Sequence, residues 1–134
     1  MTDDQRGSRP GGEPYDWYLR GLELLDTGEA AAAVQILEHA SSSEPESRMA
    51  REALARAQFD VGMYEEAREN FTWIVSVNPA DDYAQFGLGL AKTKLGDLPG
   101  AVEHLSLAAA MRPDIAYYST ALRGARAALT ASRR

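Results

Sequence analysis

The sequence predicts an all-α protein built as a solenoid of three helix–turn–helix units with a terminal capping helix. Three sets of residues carry that reading, each at a spacing of 34. Glycines stand at Gly28, Gly62 and Gly96, alanines at Ala33, Ala67 and Ala101, and prolines at Pro45, Pro79 and Pro113. A fixed period of this length marks an array of small structural units, each unable to bury its apolar face alone. Bulky apolar positions keep the same step, as in Leu37, Phe71 and Leu105, or Leu54, Leu88 and Leu122.

Each unit reads as two helices. From about Tyr15 to Thr27, Trp17, Gly21, Leu24 and Leu25 recur at helical spacing, and Gly28 supplies a stop. A second helix, about Ala30 to Ser42, carries Ala33, Leu37 and Ala40 on one face. It ends before Pro45, whose ring removes the amide hydrogen a helix needs. The pattern returns from Ser47 to Val61 and Tyr64 to Val77. It returns again from Asp82 to Leu95 and Leu98 to Met111, with Asp97 placed to cap and Pro99 tolerated in the first turn. One further helix, about Ile115 to Ala131, follows Pro113. The expected organisation is a disordered leader at 1–13, repeats at 14–47, 48–81 and 82–115, a capping helix at 116–131 and a tail at 132–134. Arg123 supports the cap, because it occupies the register of Gly21, Ala55 and Gly89, where a close helix crossing admits only a small residue.

A 34-residue helix–turn–helix unit with small residues at the helix crossing and a closing proline resembles the tetratricopeptide repeat. The matching positions are Trp17, Gly21, Leu24, Ala33, Leu37, Ala40 and Pro45 in the first unit. In the second they are Leu54, Ala55, Ala67, Phe71, Ile74 and Pro79, and in the third Leu88, Gly89, Ala101, Leu105, Ala108 and Pro113. The stretch GMYEEARENF at residues 62–71 is similar to the family's turn and second-helix opening. Arg51, Gln85, Gln58 and Lys92 depart from the family's apolar or aromatic preference, which predicts polar-edged packing within the hairpins. The resemblance implies a right-handed superhelix and a non-catalytic protein-interaction role. Family members that grip carboxy-terminal peptides of heat-shock proteins use basic and amide side chains where this chain has Tyr18, Leu22, Tyr83 and Gly87, so that use is not expected.

Composition narrows the chemistry. Twenty acidic residues against fourteen basic give a net charge of −6, which disfavours a surface for nucleic-acid phosphates. The absence of cysteine excludes disulfides, thiolate metal sites and cysteine nucleophiles. The two histidines, His39 and His104, lack ligands at metal spacing and read as half-exposed surface residues. No nucleophile elbow and no phosphate-binding glycine loop is present. No cofactor, no metal and no enzymatic activity are expected. No apolar run suits a membrane span or a signal peptide, so the expectation is a cytoplasmic protein with no membrane partner. Twelve arginines against two lysines suggest a bacterial source.

A second stripe on the first helix of each unit is expected to line the concave groove of this fold. It comprises Tyr15, Tyr18 and Leu22, then Met49, Glu52 and Arg56, then Tyr83, Phe86 and Leu90, with Tyr117 from the terminal helix. Aromatic side chains and arginine are enriched at binding hot spots, which predicts a partner segment bearing apolar anchors. Tyr18 and Phe86, at equivalent positions two repeats apart, are the leading anchor contacts. The alternative is self-association, with the groove or an open end of the stack buried in a homodimer.

Overall fold

The computed structural model describes residues 13–134, so the leader assigned to 1–13 lies, except for Glu13, outside the described residues. Those residues form seven helices and no strand: α1 (Pro14–Asp26), α2 (Ala30–Ser43), α3 (Arg48–Asp60), α4 (Tyr64–Val77), α5 (Asp82–Lys94), α6 (Leu98–Met111) and α7 (Ala116–Ser132). No helix among them is long and apolar enough to cross a membrane. They fall into two units, one ending at Met63 and the other spanning Tyr64–Arg134.

The period of 34 has a backbone cause. Gly28, Gly62 and Gly96 adopt φ of 82°, 87° and 88°, the left-handed geometry that a side chain disfavours. Each closes its helix with paired backbone bonds. Gly28 N–H donates to Leu25 C=O at 3.1 Å and Glu29 N–H to Leu24 C=O at 2.8 Å. These satisfy carbonyls that a helix end otherwise leaves open. Asp97 caps α6 as the sequence predicts, accepting from Gly100 N–H at 3.0 Å. Ser47 and Asp81 do the same for α3 and α5.

In the first unit α2 packs against both α1 and α3, and α1 also touches α3. Leu24, Leu25, Val34, Leu37 and Leu54 form its core with Ala33, Ala53 and Ala57, and Tyr18, Leu22, Ile36 and Met63 pack on its edge. Gly21 makes the α1–α2 crossing close, since a Cβ there would run into the Leu37 side chain. Leu37 is fully buried as a result.

In the second unit α5 packs on α4 and α6, and α7 packs on α6 and reaches α5. The core joins Phe86, Ala101, Leu105 and Ala108 to Tyr118, Leu122 and Ala125 of α7. Gly89 repeats the role of Gly21: a Cβ there would lie 2.6 Å from Leu105 Cγ. Beside it, the space a Cβ would need at Gly87 is filled by the Phe71 ring. Arg123 is exposed, and a Cβ added at Gly124 would meet nothing within 4 Å, so this face of α7 stands clear of other helices within its unit.

Candidate partner-binding site

The stripe expected along the first helices is laid out differently in the two units. In the first unit, Tyr15 and Tyr18 project from α1 with ring centroids 6.1 Å apart. Tyr15 is 61% exposed and Met49 of α3 53% exposed. Helical spacing puts Tyr15, Tyr18 and Leu22 along one side of α1, and Met49, Glu52 and Arg56 along one side of α3. Tyr15, Tyr18 and Met49 meet at a cleft of about 90 Å³, completed by Pro14, Ala40, Glu44, Ser47 and Ala50. Glu44 is its one charged lining residue.

The other three expected residues do not line that cleft. Leu22 is half-buried against the core. Glu52 is half-buried near Tyr18, and burial followed by the Glu52 carboxylate pushes the Tyr18 phenol above the usual tyrosine range. Arg56 reaches back to α1, its Nη2 lying 3.9 Å from Asp26 Oδ1.

In the second unit the expectation for Phe86 is corrected. It is 9% exposed and belongs to the core. The Tyr118 ring stacks on it at 4.8 Å and Tyr117 meets it edge-on at 5.2 Å. The cause is α7, which brings two adjacent tyrosines onto α5 and removes the ring from any accessible face. Tyr83 lies between Phe71 and Phe86, at 6.3 Å and 6.2 Å, and is half-buried. Leu90 packs on the same core. Tyr117 alone of this set remains widely accessible, at 55%.

A polar relay in the second unit escaped the sequence reading. Gln85, 3% exposed, donates from Nε2 to Pro79 C=O at 3.0 Å. Its Oε1 therefore faces His104 Nδ1 at 2.8 Å and accepts that ring's proton. The free Nε2 of His104 accepts from Lys92 Nζ at 3.2 Å, and Lys92 lies 3.9 Å from Asp97. This arrangement needs a neutral imidazole. Burial, then the Lys92 charge, holds His104 below the usual histidine range, against smaller opposing effects of Glu103 and Asp97. His104 is thus a half-buried, hydrogen-bonded residue, whereas His39 is exposed with its ring 5.7 Å from Trp17. The expected polar edge at Gln85 and Lys92 is this relay. Lys92 and Asp97 also border an open cleft with Arg68, Glu69 and Thr72.

The sequence reading also missed Glu44, Ala40 and Ser47 as cleft residues. Their signal was the corner itself: Glu44 caps the end of α2 and Ser47 the start of α3, which brings both beside the first turn of α1.

Helices paired in this way, with glycine-closed turns every 34 residues, define an all-α helical-repeat solenoid. The tetratricopeptide repeat family model matches residues 18–68 and 52–116, and the chain belongs to that family. It is 29% identical over 124 residues to Superkiller complex protein 3 of Mus musculus and of Homo sapiens. That match takes in 92% of this chain and 8% of those proteins, so the chain spans a small part of their length. Among solved structures, it is similar to MamA from Desulfovibrio magneticus RS-1, with a TM-score of 0.83 and 23% identity over 88% of this chain and 67% of that one. It is likewise similar to the first tetratricopeptide domain of Spaghetti (RPAP3) bound to an HSP90 peptide. There the TM-score is 0.81 and the identity 18%, over 87% of this chain and 93% of that one.

Proposed function

We propose that this chain is a non-catalytic protein-interaction module that holds an apolar anchor of a partner segment on the α1–α3 face of its first unit. The observation that carries this reading is the cleft shared by Tyr15, Tyr18 and Met49, two of which keep more than half their surface accessible. Large aromatic side chains offer much contact area and lose few rotors on binding. Tyr117, the accessible tip of the aromatic cluster in the second unit, is the contact proposed there. The peptide-bound relative supports a role of this kind for the family's scaffold. The buried Phe86 takes no part, and its ring holds the scaffold together.

The test compares proteins co-purifying with the tagged wild-type chain and with a Tyr15→Ser/Met49→Ser variant. Both positions are exposed, so circular dichroism and melting should match wild type. Loss of a specific partner from the variant supports the reading. A variant that stays folded and retains every partner of the wild type contradicts it.

A further inference from the structure

We propose that the cleft at the α1, α2–α3 corner is a receptor for one arginine side chain of the partner segment. This rests on the interaction reading above and names the chemistry of what enters.

Size comes first. At about 90 Å³ the cleft is far smaller than the several hundred Å³ typical of small-molecule sites, and it suits a single side chain. Its walls are of two kinds. Tyr15, Tyr18 and Met49 give an apolar surface for a long aliphatic stem, and the tyrosine faces can stack a planar guanidinium.

The polar end of the cleft is negative. Glu44, its one charged lining residue, stands at the C-terminus of α2. Helix C-termini carry a partial negative charge that a cation relieves, and the last turn of α2 contains no basic residue. The field of Glu52 is already felt at the Tyr18 phenol. The bases nearby are directed elsewhere: Arg51 Nη2 donates to Pro45 C=O at 3.1 Å, Arg56 faces Asp26, and Arg48 is not part of the lining. An acidic side chain would meet like charge at Glu44, and a purely aliphatic one would use the apolar walls without engaging that carboxylate. Arginine satisfies both ends, pairing its fork with the carboxylate and laying its stem along Met49.

The experiment uses the full chain labelled with ¹⁵N and three capped glycine–serine peptides. One carries a single arginine, one citrulline (the same shape without the charge) and one glutamate. Amide signals of Tyr15, Tyr18, Glu44 and Met49 should shift with the arginine peptide, and the citrulline and glutamate peptides should bind about tenfold more weakly or worse. Glu44→Gln, an exposed and conservative change, should remove most of the preference for arginine while the amide spectrum elsewhere stays that of the folded chain. Equal binding of arginine and citrulline peptides, an unchanged preference in Glu44→Gln, or shifts confined to other residues would each overturn the proposal. Should it fall while Tyr15→Ser/Met49→Ser still loses its partner, the interaction reading stands and only the arginine assignment fails. If that variant also keeps its partner, both are wrong.

Discussion

The Tyr118 hydroxyl donates a 2.6 Å hydrogen bond to Asp82 Oδ2, tying the terminal helix to the first turn of α5 across 36 residues of sequence. Tyr118 is 1% exposed and Asp82 half-buried, so this bond is partly shielded from water. Its ring stacks on Phe86 at the same time. One side chain thus closes the second unit by packing and by a bond to a carboxylate.

Tyr118→Phe keeps the stacking and removes the bond, and should cost about 1.5–3 kcal/mol, the range for a hydrogen bond to a charged acceptor. Burial and the Asp82 carboxylate hold the Tyr118 hydroxyl far above the usual tyrosine range. A folded-state pKa raised above the unfolded one contributes stability that is fully present below about pH 10 and is lost as pH rises further. Wild type should therefore lose stability between pH 10 and 11.5 more steeply than Tyr118→Phe. Urea unfolding across that range checks both the offset and the slope.

His104 carries the opposite sign at the acid side. Its folded-state pKa is depressed, by burial first and then by Lys92. Its contribution is therefore intact above the ordinary imidazole range, near pH 6.5, and declines as pH falls below it. Protonation would also set an N–H of His104 against the Lys92 ammonium, which can only donate. Urea unfolding from pH 7.5 to 5 should show a shallower loss for His104→Gln than for wild type.

Phe86→Ala should destabilise by about 3–5 kcal/mol, as for other buried aromatic truncations, while Tyr15→Ala at an exposed site should change stability by about 0.5 kcal/mol or less. Thermal melting of the two variants gives the comparison. Near-equal melting temperatures would place Phe86 outside the core.

Glycines at two adjacent registers should respond in opposite directions. Gly21→Ala drives a methyl group into Leu37 and should cost about 1–3 kcal/mol of overpacking. Gly124→Ala meets open space in the middle of α7 and should stabilise by about 0.5–1 kcal/mol through helix propensity. Chemical denaturation of both variants tests the two signs together.

The repeat was legible because its signals are local. A glycine that must take positive φ, a proline that must end a helix and a small residue at a crossing are each dictated within a few residues, and each recurs at 34. The exposed part of the site, Tyr15 and Met49, was legible for the same reason, since helical spacing alone puts them off the core face. Phe86 was not. Helical spacing gives it the same placement as Tyr18, yet Tyr118 stacks on it, and the register of α7 against α5 is a contact between distant segments. The Gln85–His104 bond spans 19 residues and was equally hidden. One part of it does follow the repeat: Arg51 and Gln85, 34 apart, each donate to the carbonyl of the proline six residues earlier. Different side chains make the same bond, which a search for matching residue types passes over.

The most direct test of an interaction face on the first unit is site-specific photocrosslinking in the native cell. p-Benzoylphenylalanine placed at Tyr15 preserves an aromatic side chain at a site 61% exposed, and the same group at Leu107, 44% exposed on α6, serves as the control. The expected result is a discrete crosslinked product from position 15, absent from position 107, whose mass identifies one partner protein. Crosslinks of equal yield and pattern from both positions, or none from position 15, would contradict a binding face there. A product with the mass of two copies of this chain would instead assign that face to self-association.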